Sequence, residues 1–219
     1  MKLFIYGAGG AGIEIYDLVS RNRAIEQRYS AVYFVDDFAA ESEYYGTKRI
    51  HFSSCKEYSG NENCEFIIAA GEPAVRRLLY DKVKSVGYLL ATLIDETAII
   101  SDTAVIGEGC IIQAHAVISS EAVIKENCFL MLQIIVGHHA VMEGHCVASP
   151  KATVGGHSHV GAETFLGLGS SMMQGVNIGS KAIVGLGSMV FKNVEDGATV
   201  IGNPARVTKG NSKHKVFSK

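Results

Sequence analysis

The histidines in the second half of the chain carry the side chains best suited to acid–base chemistry. An imidazole, whose ordinary pKa is near 6.5, accepts and returns protons at neutral pH. His138 is the leading candidate because, in the six-residue repeat described below, Ser120 lies three repeats before it and Gly156 lies three repeats after it. This interval places residues in one column of the fold, and a glycine beside the imidazole leaves room for a ligand. We therefore consider His138 a candidate general base.

The next residue, His139, belongs to a neighbouring column. Glu121 precedes it and His157 follows it by the same interval of three repeats, so Glu121 could hydrogen-bond to a histidine and orient the base. The same three side chains could share a metal ion, but ligands spaced in this way also arise from repetition alone, and we predict no metal. The other histidines of the repeat, which we interpret as solvent-facing, are His115, His145 and His159.

A glycine-rich loop near the N-terminus is the second place where we expect chemistry. The sequence Gly7-x-Gly9-x-x-Gly12 follows the apolar run LFIYG and precedes IEIYDLVSRN, which has helical spacing. In a strand–loop–helix unit, such glycines let backbone N–H groups approach a phosphate at the start of the helix. The alternative is a tight turn with a structural role only. We predict that the substrate's phosphates contact Gly7, Gly9, Gly10 and Gly12.

Two acidic residues follow the next predicted strand. The segment AVYFVDD ends in Asp36 and Asp37, where a dinucleotide-binding fold keeps the acid that binds its ribose. A third strand, CEFIIAAG, precedes a helix whose Arg76 and Arg77 we interpret as part of a solvated face. Alternating strands and helices predict a small parallel sheet, half of a Rossmann fold, over residues 1–95. That half suits a mononucleotide or a nucleotide-sugar better than NAD.

The segment from Ile99 to Val194 must position the histidines. It divides without a gap into sixteen hexads, whose second residue is aliphatic (Met included) in all but the one containing Ala148. The sixth residue is almost always small, and glycine is common at the third. This pattern is typical of a hexapeptide β-helix, in which three hexads close one triangular coil. Residues three hexads apart then stack in columns at about 4.8 Å, and we expect glycine to serve corners where φ is positive.

The composition excludes several classes of protein. A net charge of −2 gives no basic surface for nucleic acid or acidic membranes, and no apolar run approaches the roughly 20 residues of a membrane span. Five cysteines, without a C-x-x-C pair or a signal peptide, predict a reducing cytoplasm. Three of them share one column and are predicted to be interior residues, not ligands: Cys110, Cys128 and Cys146.

Together these features resemble the bacterial sugar acyltransferases, which include sialic acid O-acetyltransferases and UDP-4-amino-sugar N-acetyltransferases. The resemblance is carried by the N-terminal glycine loop, the hexapeptide repeat and the ending VIGNPARV at Val200–Val207. It implies a nucleotide-sugar-binding βαβ domain over residues 1–95 and a left-handed parallel β-helix over residues 96–208. Residues 209–219 remain as a polar tail, which we expect to be mobile.

The resemblance also implies roles for individual residues. Acetyl-CoA would lie along the coil as co-substrate, and the enzyme would be a homotrimer with active sites at subunit interfaces. In the family motif V-[IV]-x-H-[ED]-x-x-I-G the histidine is the base; His138 takes its position here, and His139 replaces the acidic residue that follows it. The residues implied along the acetyl-CoA path are Gly156, Gly167, Leu168, Gly185, Leu186, Gly187, Asn203 and Pro204.

Three functions are open at this point. The leading one is acetyl-CoA-dependent transfer of an acetyl group to the amine of a nucleotide-activated sugar for surface polysaccharide biosynthesis. The second keeps the enzyme class but transfers the acetyl group to a hydroxyl of sialic acid or a capsule sugar. The third is a catalytically degenerate, nucleotide-binding structural trimer, which is favoured by the substitution at His139.

Overall fold

The computed structural model describes residues 1–60, 62–208 and 215–217. Alternating strands and helices build its N-terminal part. These elements are β1 (Lys2–Tyr6), α1 (Gly10–Arg21), α2 (Arg23–Glu26), β2 (Ala31–Val35), β3 (Ser42–Tyr44), β4 (Thr47–Ile50), a 3-10 turn (Phe52–Ser54), α3 (Cys55–Ser59), β5 (Cys64–Ile68), α4 (Pro73–Ser85) and β6 (Leu89–Leu90).

The N-terminal strands form one six-stranded sheet in the order β3-β4-β2-β1-β5-β6. Neighbouring strands are parallel except for the β3–β4 hairpin. Because β1, β2 and β5 run in the same direction, their carboxyl ends meet at one edge of the sheet, where α/β proteins bind ligands. The glycine loop and the Asp36–Asp37 pair therefore come together at this edge, as the Rossmann-like pattern predicted.

The remainder of the chain is a coil of very short strands. They are β7 (Leu93–Ile94), β8 (Ile99–Ile100), β9 (Val105–Ile106), β10 (Ile111–Ile112), β11 (Val117–Ile118), β12 (Val123–Ile124), β13 (Phe129–Leu130), β14 (Ile135–Val136), β15 (Val141–Met142), β16 (Val147–Ala148), β17 (Thr153–Val154), β18 (His159–Val160), β19 (Phe165–Leu166), β20 (Ser171–Met172), β21 (Asn177–Ile178), β22 (Ile183–Val184), β23 (Met189–Val190), β24 (Thr199–Ile201) and β25 (Arg206–Val207).

These strands line three faces of a triangular prism. The first face holds β7, β10, β13, β16, β19, β22, β24 and β25; the second holds β8, β11, β14, β17, β20 and β23; the third holds β9, β12, β15, β18 and β21. Ile135 pairs in parallel with Val117 before it and Thr153 after it, which confirms that three hexads close one coil. We call the turns from first to second face corner 1, from second to third corner 2, and from third to first corner 3.

The interior of the prism follows the hexad pattern. Aliphatic second residues such as Ile118, Val136 and Val154 are buried in one continuous core. The column of Cys110, Cys128 and Cys146 is also fully buried, and each thiol donates to a backbone carbonyl. The prediction that these cysteines are interior residues is confirmed.

Glycine serves the corners in two different ways. A Cβ on Gly137 or Gly155, each third in its hexad, would lie 2.5 Å from a backbone nitrogen of the next coil, so these positions require glycine for close approach. Positive φ occurs instead at the fifth hexad position, which accepts other residues: φ is 57° at His139 and 54° at His157. The expectation that glycine serves corners of positive φ therefore holds for the fifth-position glycines, Gly109, Gly169, Gly175 and Gly187, and is wrong for the frequent third-position ones.

The two parts of the chain meet along the first face of the coil. Ile15 and Leu18 of α1 share a buried cluster with Phe129 and Val147 of that face. Helix α4 meets corner 3, where Arg77 Nη1 lies 2.9 Å from Glu163 Oε1. Corner 2 is opposite the first face of a triangular prism, so it is the corner most remote from the N-terminal part.

The predicted polar tail, residues 209–219, lies outside the described residues except for 215–217. The backbone N–H groups of Val216 and Phe217 donate to the Glu72 carboxylate just before α4, and the Phe217 ring lies edge-on to Phe165 of the first face. Among the residues that the structure describes, none of the helices has the length and apolar character needed to cross a membrane.

Candidate active site

Two adjacent histidines occupy corner 2 of the coil, between β14 and β15. The His139 N–H donates to the Ser120 carbonyl of the preceding coil at 3.0 Å, and the His138 carbonyl accepts from the His157 N–H of the following coil at 2.8 Å. The turn is therefore fixed on both sides by backbone hydrogen bonds. The side chains of His138, His139 and His157 are all exposed.

Glu121, His139 and His138 form a continuous chain of polar contacts. Glu121 Oε2 lies 3.1 Å from His139 Nε2, and His139 Nδ1 lies 3.2 Å from His138 Nδ1. Since a carboxylate only accepts, His139 Nε2 carries the hydrogen, and a neutral ring then has its lone pair at Nδ1. His138 Nδ1–H donates to that lone pair, which leaves the lone pair of His138 on Nε2. The chain thus selects the tautomer of His138 that can accept a proton at Nε2.

Gly156 determines where the His138 ring lies. A Cβ at this position would be 2.7 Å from His138 Nε2 and 2.9 Å from His138 Cε1, too close for any real side chain. The prediction that Gly156 leaves room for a ligand is therefore wrong in detail, because the His138 ring itself fills that space. Glycine is needed here to let the imidazole lie against the next coil.

His157 adds a third imidazole to the corner. Its ring stacks on His139 at a centroid distance of 4.5 Å with 18° between the planes, and it meets His138 edge-on at 4.8 Å. One ligand nitrogen from each of His138, His139 and His157 lies within 4.8 Å of the others. These three are the side chains that could hold a metal; Glu121 instead contacts the far nitrogen of His139.

The glycine loop divides into two pairs with different surroundings. A Cβ on Gly7 would lie 2.5 Å from the Ala69 carbonyl oxygen, and one on Gly12 would lie 2.1 Å from the Gly7 carbonyl oxygen, so both are required by packing. Gly9 is the N-cap of α1 with no side-chain cap, and both Gly9 and Gly10 face open space. The first N–H groups of α1, which have no partner within the helix, are thus accessible to an anion.

The two aspartates after β2 have separate surroundings. Asp37 is occupied: Oδ2 accepts from Tyr6 Oη at 2.5 Å and from Lys82 Nζ at 2.6 Å, and Oδ1 accepts from the Phe52 N–H at 3.0 Å. Burial by itself would raise the pKa of Asp37, but the hydrogen bonds from Lys82 and Tyr6 lower it below the ordinary value. Asp37 is therefore bound to protein groups through both oxygens.

Asp36 is the better placed of the two for a ligand. Its Oδ1 accepts from the Phe38 N–H at 2.9 Å, a local turn that leaves Oδ2 available. Both aspartates line a largely apolar groove of about 530 Å³ at the carboxyl edge of the sheet, and the side chain of Phe38 is fully exposed beside it. Other lining residues are Tyr6, Gly7, Val35, Ala70, Val75, Leu78, Leu79 and Lys82.

Most of the residues implied along the acetyl-CoA path lie at corner 1. Leu168 and Leu186 are exposed there. The turns beneath them are narrow, since a Cβ on Gly167 would lie 2.6 Å from Leu186 N. Likewise, a Cβ on Gly185 would lie 2.1 Å from Ile201 Cγ1. Gly187 has a φ of 63°. Exposed leucines on narrow turns form an apolar strip along this corner, whereas Gly156 lies at corner 2.

The end of the coil holds the last two residues of that set. Pro204 lines a groove of about 450 Å³ together with Phe191, Lys192 and Arg206, and the Asn203–Pro204 peptide is cis. Both cations in this groove could meet phosphate groups.

Sequence reasoning missed a buried polar network between α4 and corner 3. Arg76, interpreted above as part of a solvated face, is fully buried; it donates to the carbonyls of Asn127, Ile68 and Ala70 and to Asn127 Oδ1. Only Arg77 is exposed, as predicted. Helical spacing could have distinguished the two: Arg76 lies three residues after Pro73 and seven before Val83, on the buried face of α4, whereas Arg77 shares the exposed face with Asp81 and Lys84.

His145 belongs to the same network, so its interpretation as a solvent-facing residue is wrong. It is buried, its Nδ1 lies 2.9 Å from Asn127 Nδ2, and its ring meets Tyr80 edge-on. Burial lowers the pKa of His145 below the ordinary value. Of the other two, His159 bonds to Glu143 with 3.2 Å between His159 Nε2 and Glu143 Oε1 and its side chain is exposed, as expected, and His115 is exposed.

Comparison with known proteins agrees with this geometry. Residues 2–83 match the family described as the PglD N-terminal domain. The acetyltransferase domain of PglB from Neisseria gonorrhoeae superposes with a TM-score of 0.85 at 28% identity, over 94% of this chain and 99% of that one; the same domain has been solved in complex with acetyl coenzyme A.

Two further structures share the complete fold. WeeI from Acinetobacter baumannii matches with a TM-score of 0.86 at 26% identity, over 95% of this chain and 100% of that one. A mutant of perosamine N-acetyltransferase from Caulobacter crescentus, in complex with CoA and GDP-perosamine, matches with a TM-score of 0.87 at 22% identity, over 96% and 98% of the two chains. Over almost its whole length the chain therefore has the architecture of hexapeptide-repeat sugar acetyltransferases, with a Rossmann-like N-terminal domain and a left-handed parallel β-helix.

Proposed function

We propose that this enzyme transfers the acetyl group of acetyl-CoA to the amine of a nucleotide-activated sugar, with His138 as the general base. The observation that carries the proposal is the chain Glu121–His139–His138, which directs the lone pair of His138 to Nε2. Acetyl-CoA as donor is supported by the gonococcal relative, which was solved with it. The amine is supported by the perosamine N-acetyltransferase, which shares the fold.

The reaction needs one proton acceptor at the nucleophile. As the sugar nitrogen attacks the thioester carbonyl, a C–N bond forms, and the nitrogen's proton passes to His138 Nε2. The C–S bond then breaks, and the proton held by His138 can return to the departing sulfur. His139 accepts the hydrogen bond from His138 Nδ1 throughout, and Glu121 stabilises the positive charge on the histidine pair. His138 is the catalytic residue; His139 and Glu121 are positioning residues.

The contact between His139 and Glu121 also bears on the substitution at His139, which favoured a catalytically degenerate protein. Where the family places an acidic residue next to the base, this chain places an imidazole that passes the contact on to Glu121 of the preceding coil. A carboxylate is therefore still linked to the base, but through an intervening ring. The contact argues against a catalytically degenerate protein.

The groove at the carboxyl edge of the N-terminal sheet is the proposed nucleotide-sugar site. The accessible start of α1 at Gly9 and Gly10 suits the phosphates, while Asp36 Oδ2 suits a ribose hydroxyl. The exposed Phe38 ring and the apolar wall of the groove suit the flat face of a base. Asp37 we assign to holding Lys82 and Tyr6 in place. The strip of Leu168 and Leu186 at corner 1 is the proposed path of the acetyl-CoA arm.

The topology favours an active site made by more than one chain. The N-terminal part covers the first face of its own coil, and His138 is on the opposite corner. A sugar held at the glycine loop of one chain therefore reaches a His138 more readily on a neighbouring copy, in line with the homotrimer that the family resemblance implies.

We also retain the cytoplasm as the proposed location, since all five cysteines are free thiols.

The test is release of CoA from acetyl-CoA with a panel of UDP-, GDP- and CMP-sugars that carry either a free amine or only hydroxyls. We expect turnover with an amino sugar. Turnover with hydroxyl sugars alone would favour O-acetylation, and tight nucleotide binding without turnover of any sugar would favour the degenerate trimer.

The chain Glu121–His139–His138, which we call the proton relay, is tested with three variants in the same assay. His138→Asn should lower kcat by about 10²- to 10⁴-fold, the usual contribution of a general base. Glu121→Gln should lower kcat by about 1.4- to 5-fold, because an exposed ion pair contributes about 0.2–1 kcal/mol. Glu143→Gln is the matched control, since Glu143 bonds to His159 outside the relay, and it should leave kcat unchanged. Equal rates for His138→Asn and the wild type would refute the assignment of the base.

A further inference from the structure

From the repeat alone we predicted no metal, but the structure brings His138, and not Glu121, to the near side of His139 and His157. We propose that His138, His139 and His157 form a binding site for a divalent transition-metal ion of the Zn²⁺ type, and that the metal and the proton relay exclude each other. The three imidazoles offer ligand nitrogens that all lie within 4.8 Å of one another. Two imidazole nitrogens bound to one tetrahedral Zn²⁺ at about 2.0–2.1 Å are about 3.4 Å apart. The 3.2 Å between His138 Nδ1 and His139 Nδ1 is already close to that separation.

The backbone holds the three rings close together. His138 and His139 are consecutive, and His157 is in the same column as His139 one coil later, with its N–H bonded to the His138 carbonyl. His139 and His157 both have positive φ, so their side chains leave the backbone in the same direction and stack. Above His157 the column continues with Gly175, whose Cβ position has no atom within 4 Å, so no side chain of that column covers the outer face of the His157 ring.

Glu121 supplies the outer contact that a metal-binding histidine usually has. Its carboxylate accepts from His139 Nε2, which keeps the lone pair of His139 on Nδ1, the nitrogen that faces His138. Carboxylate–histidine pairs of this kind fix the tautomer of a ligand and raise its basicity. Neutral imidazoles with one such carboxylate favour Zn²⁺, Cu²⁺ or Ni²⁺ over Mg²⁺ or Ca²⁺, which prefer oxygen ligands.

Metal binding and acid–base catalysis need the same lone pairs. To bind through Nδ1, His138 must move its Nδ1 proton to Nε2, and Nε2 can then no longer accept a proton. If it binds through Nε2 instead, the metal covers the base directly. In either case the metal inhibits acetyl transfer; this consequence depends on the proposed function, whereas metal binding itself does not.

The experiment measures Zn²⁺ affinity of the purified full chain, without a polyhistidine tag, by competition with a chromophoric chelator at pH 7.5. We expect one Zn²⁺ per chain. His157→Asn should weaken binding at least as much as Glu121→Gln, for which we expect the 10- to 100-fold loss typical of an outer contact. The matched control is His159→Asn, an exposed histidine of the coil that bonds to Glu143 outside the cluster, and it should bind Zn²⁺ like the wild type.

Two further measurements separate this proposal from the proposed function. Co²⁺ should give the strong visible absorption of a tetrahedral site with the wild type and lose it with His157→Asn, whether or not the enzyme turns over. In the CoA-release assay, Zn²⁺ should inhibit the wild type reversibly. The same degree of inhibition of His157→Asn should need at least a tenfold higher Zn²⁺ concentration. Equal Zn²⁺ affinity of the wild type and His157→Asn would overturn the metal site. Zn²⁺ inhibition that is the same in both proteins would overturn the proposal that the metal and the proton relay exclude each other.

Discussion

The buried arginine between the two parts of the chain allows a sharp prediction about stability. Arg76 and Arg77 are neighbours on α4, and sequence reasoning assigned both to a solvated face. In the structure, Arg76 is completely buried, whereas about half of the Arg77 side chain is exposed in its ion pair with Glu163. Arg76→Ala and Arg77→Ala therefore make a matched pair with the same chemical change in opposite environments.

The size of the effect follows from the acceptors that Arg76 leaves behind. Its guanidinium donates to Ile68 O at 2.6 Å, Asn127 Oδ1 at 2.8 Å, Asn127 O at 3.0 Å and Ala70 O at 3.2 Å. A buried polar group left unpaired costs about 1–3 kcal/mol. Burial lowers the pKa of Arg76 to about 10, so the removed group is still charged at neutral pH, and losing its desolvation cost offsets part of the penalty. With four neutral acceptors left unpaired and part of that cost offset, we expect a net loss of about 3–5 kcal/mol for Arg76→Ala.

The exposed neighbour should behave differently. An exposed ion pair contributes about 0–1 kcal/mol, so Arg77→Ala should lose no more than that. For a chain of this length, each kcal/mol lowers Tm by about 2–4 °C. We therefore expect Tm to fall by about 6–20 °C for Arg76→Ala and by less than about 4 °C for Arg77→Ala.

The assay is thermal unfolding followed by differential scanning fluorimetry at one protein concentration. Arg76→Met is the second variant, because it keeps most of the apolar packing and removes every donor. Equal Tm values for Arg76→Ala and Arg77→Ala would refute the reasoning. A wild-type Tm for Arg76→Met would show that packing, not hydrogen bonding, is what Arg76 supplies.

Two further predictions follow from single residues. Gly156→Ala places a Cβ 2.7 Å from His138 Nε2. Because the clash is with the end of a side chain, the fold should persist, while kcat in the CoA-release assay should fall at least tenfold. An unchanged kcat would contradict the assigned position of the base. Burial lowers the pKa of His145 in the folded protein, so as the pH falls below about 6.5 the unfolded chain takes up a proton that the folded chain does not, and stability falls. That loss, followed by urea unfolding between pH 7.5 and pH 5, should be smaller in His145→Gln, and an identical slope in both proteins would show that His145 does not cause it.

The fold was predictable because its rule is local and repeated. In a hexapeptide coil, every aliphatic residue at the second position meets its counterparts three hexads away, so the core of Ile118, Val136 and Val154 follows from counting alone. The column of Cys110, Cys128 and Cys146 was assigned to the interior in the same way. The same periodicity placed Glu121, His139 and His157 in one column before any distance was known.

The errors at Arg76 and His145 occurred where two parts of the chain meet. Arg76 and His145 are buried because α4 docks on corner 3, a contact between segments far apart in sequence. Nothing in the spacing of either segment specifies that contact. The same holds for the groove that Asp36 and Asp37 line. The two acids look equivalent in sequence, and only the hydrogen bonds from Lys82 of α4 and Tyr6 of β1 to Asp37 distinguish them.

What the sequence by itself determined is the repeating backbone of the coil, since hydrophobic periodicity is a property of neighbours along the chain. The columns of the coil follow from this periodicity, and the Rossmann-like order of the N-terminal part follows from its own alternation of apolar strands and helices. What only the tertiary structure decided is how side chains divide the available hydrogen bonds. The tautomer of His138 depends on the orientation of two rings and one carboxylate, and ring orientation is fixed by packing between coils, at Gly156 above all, which no pattern of residue types records.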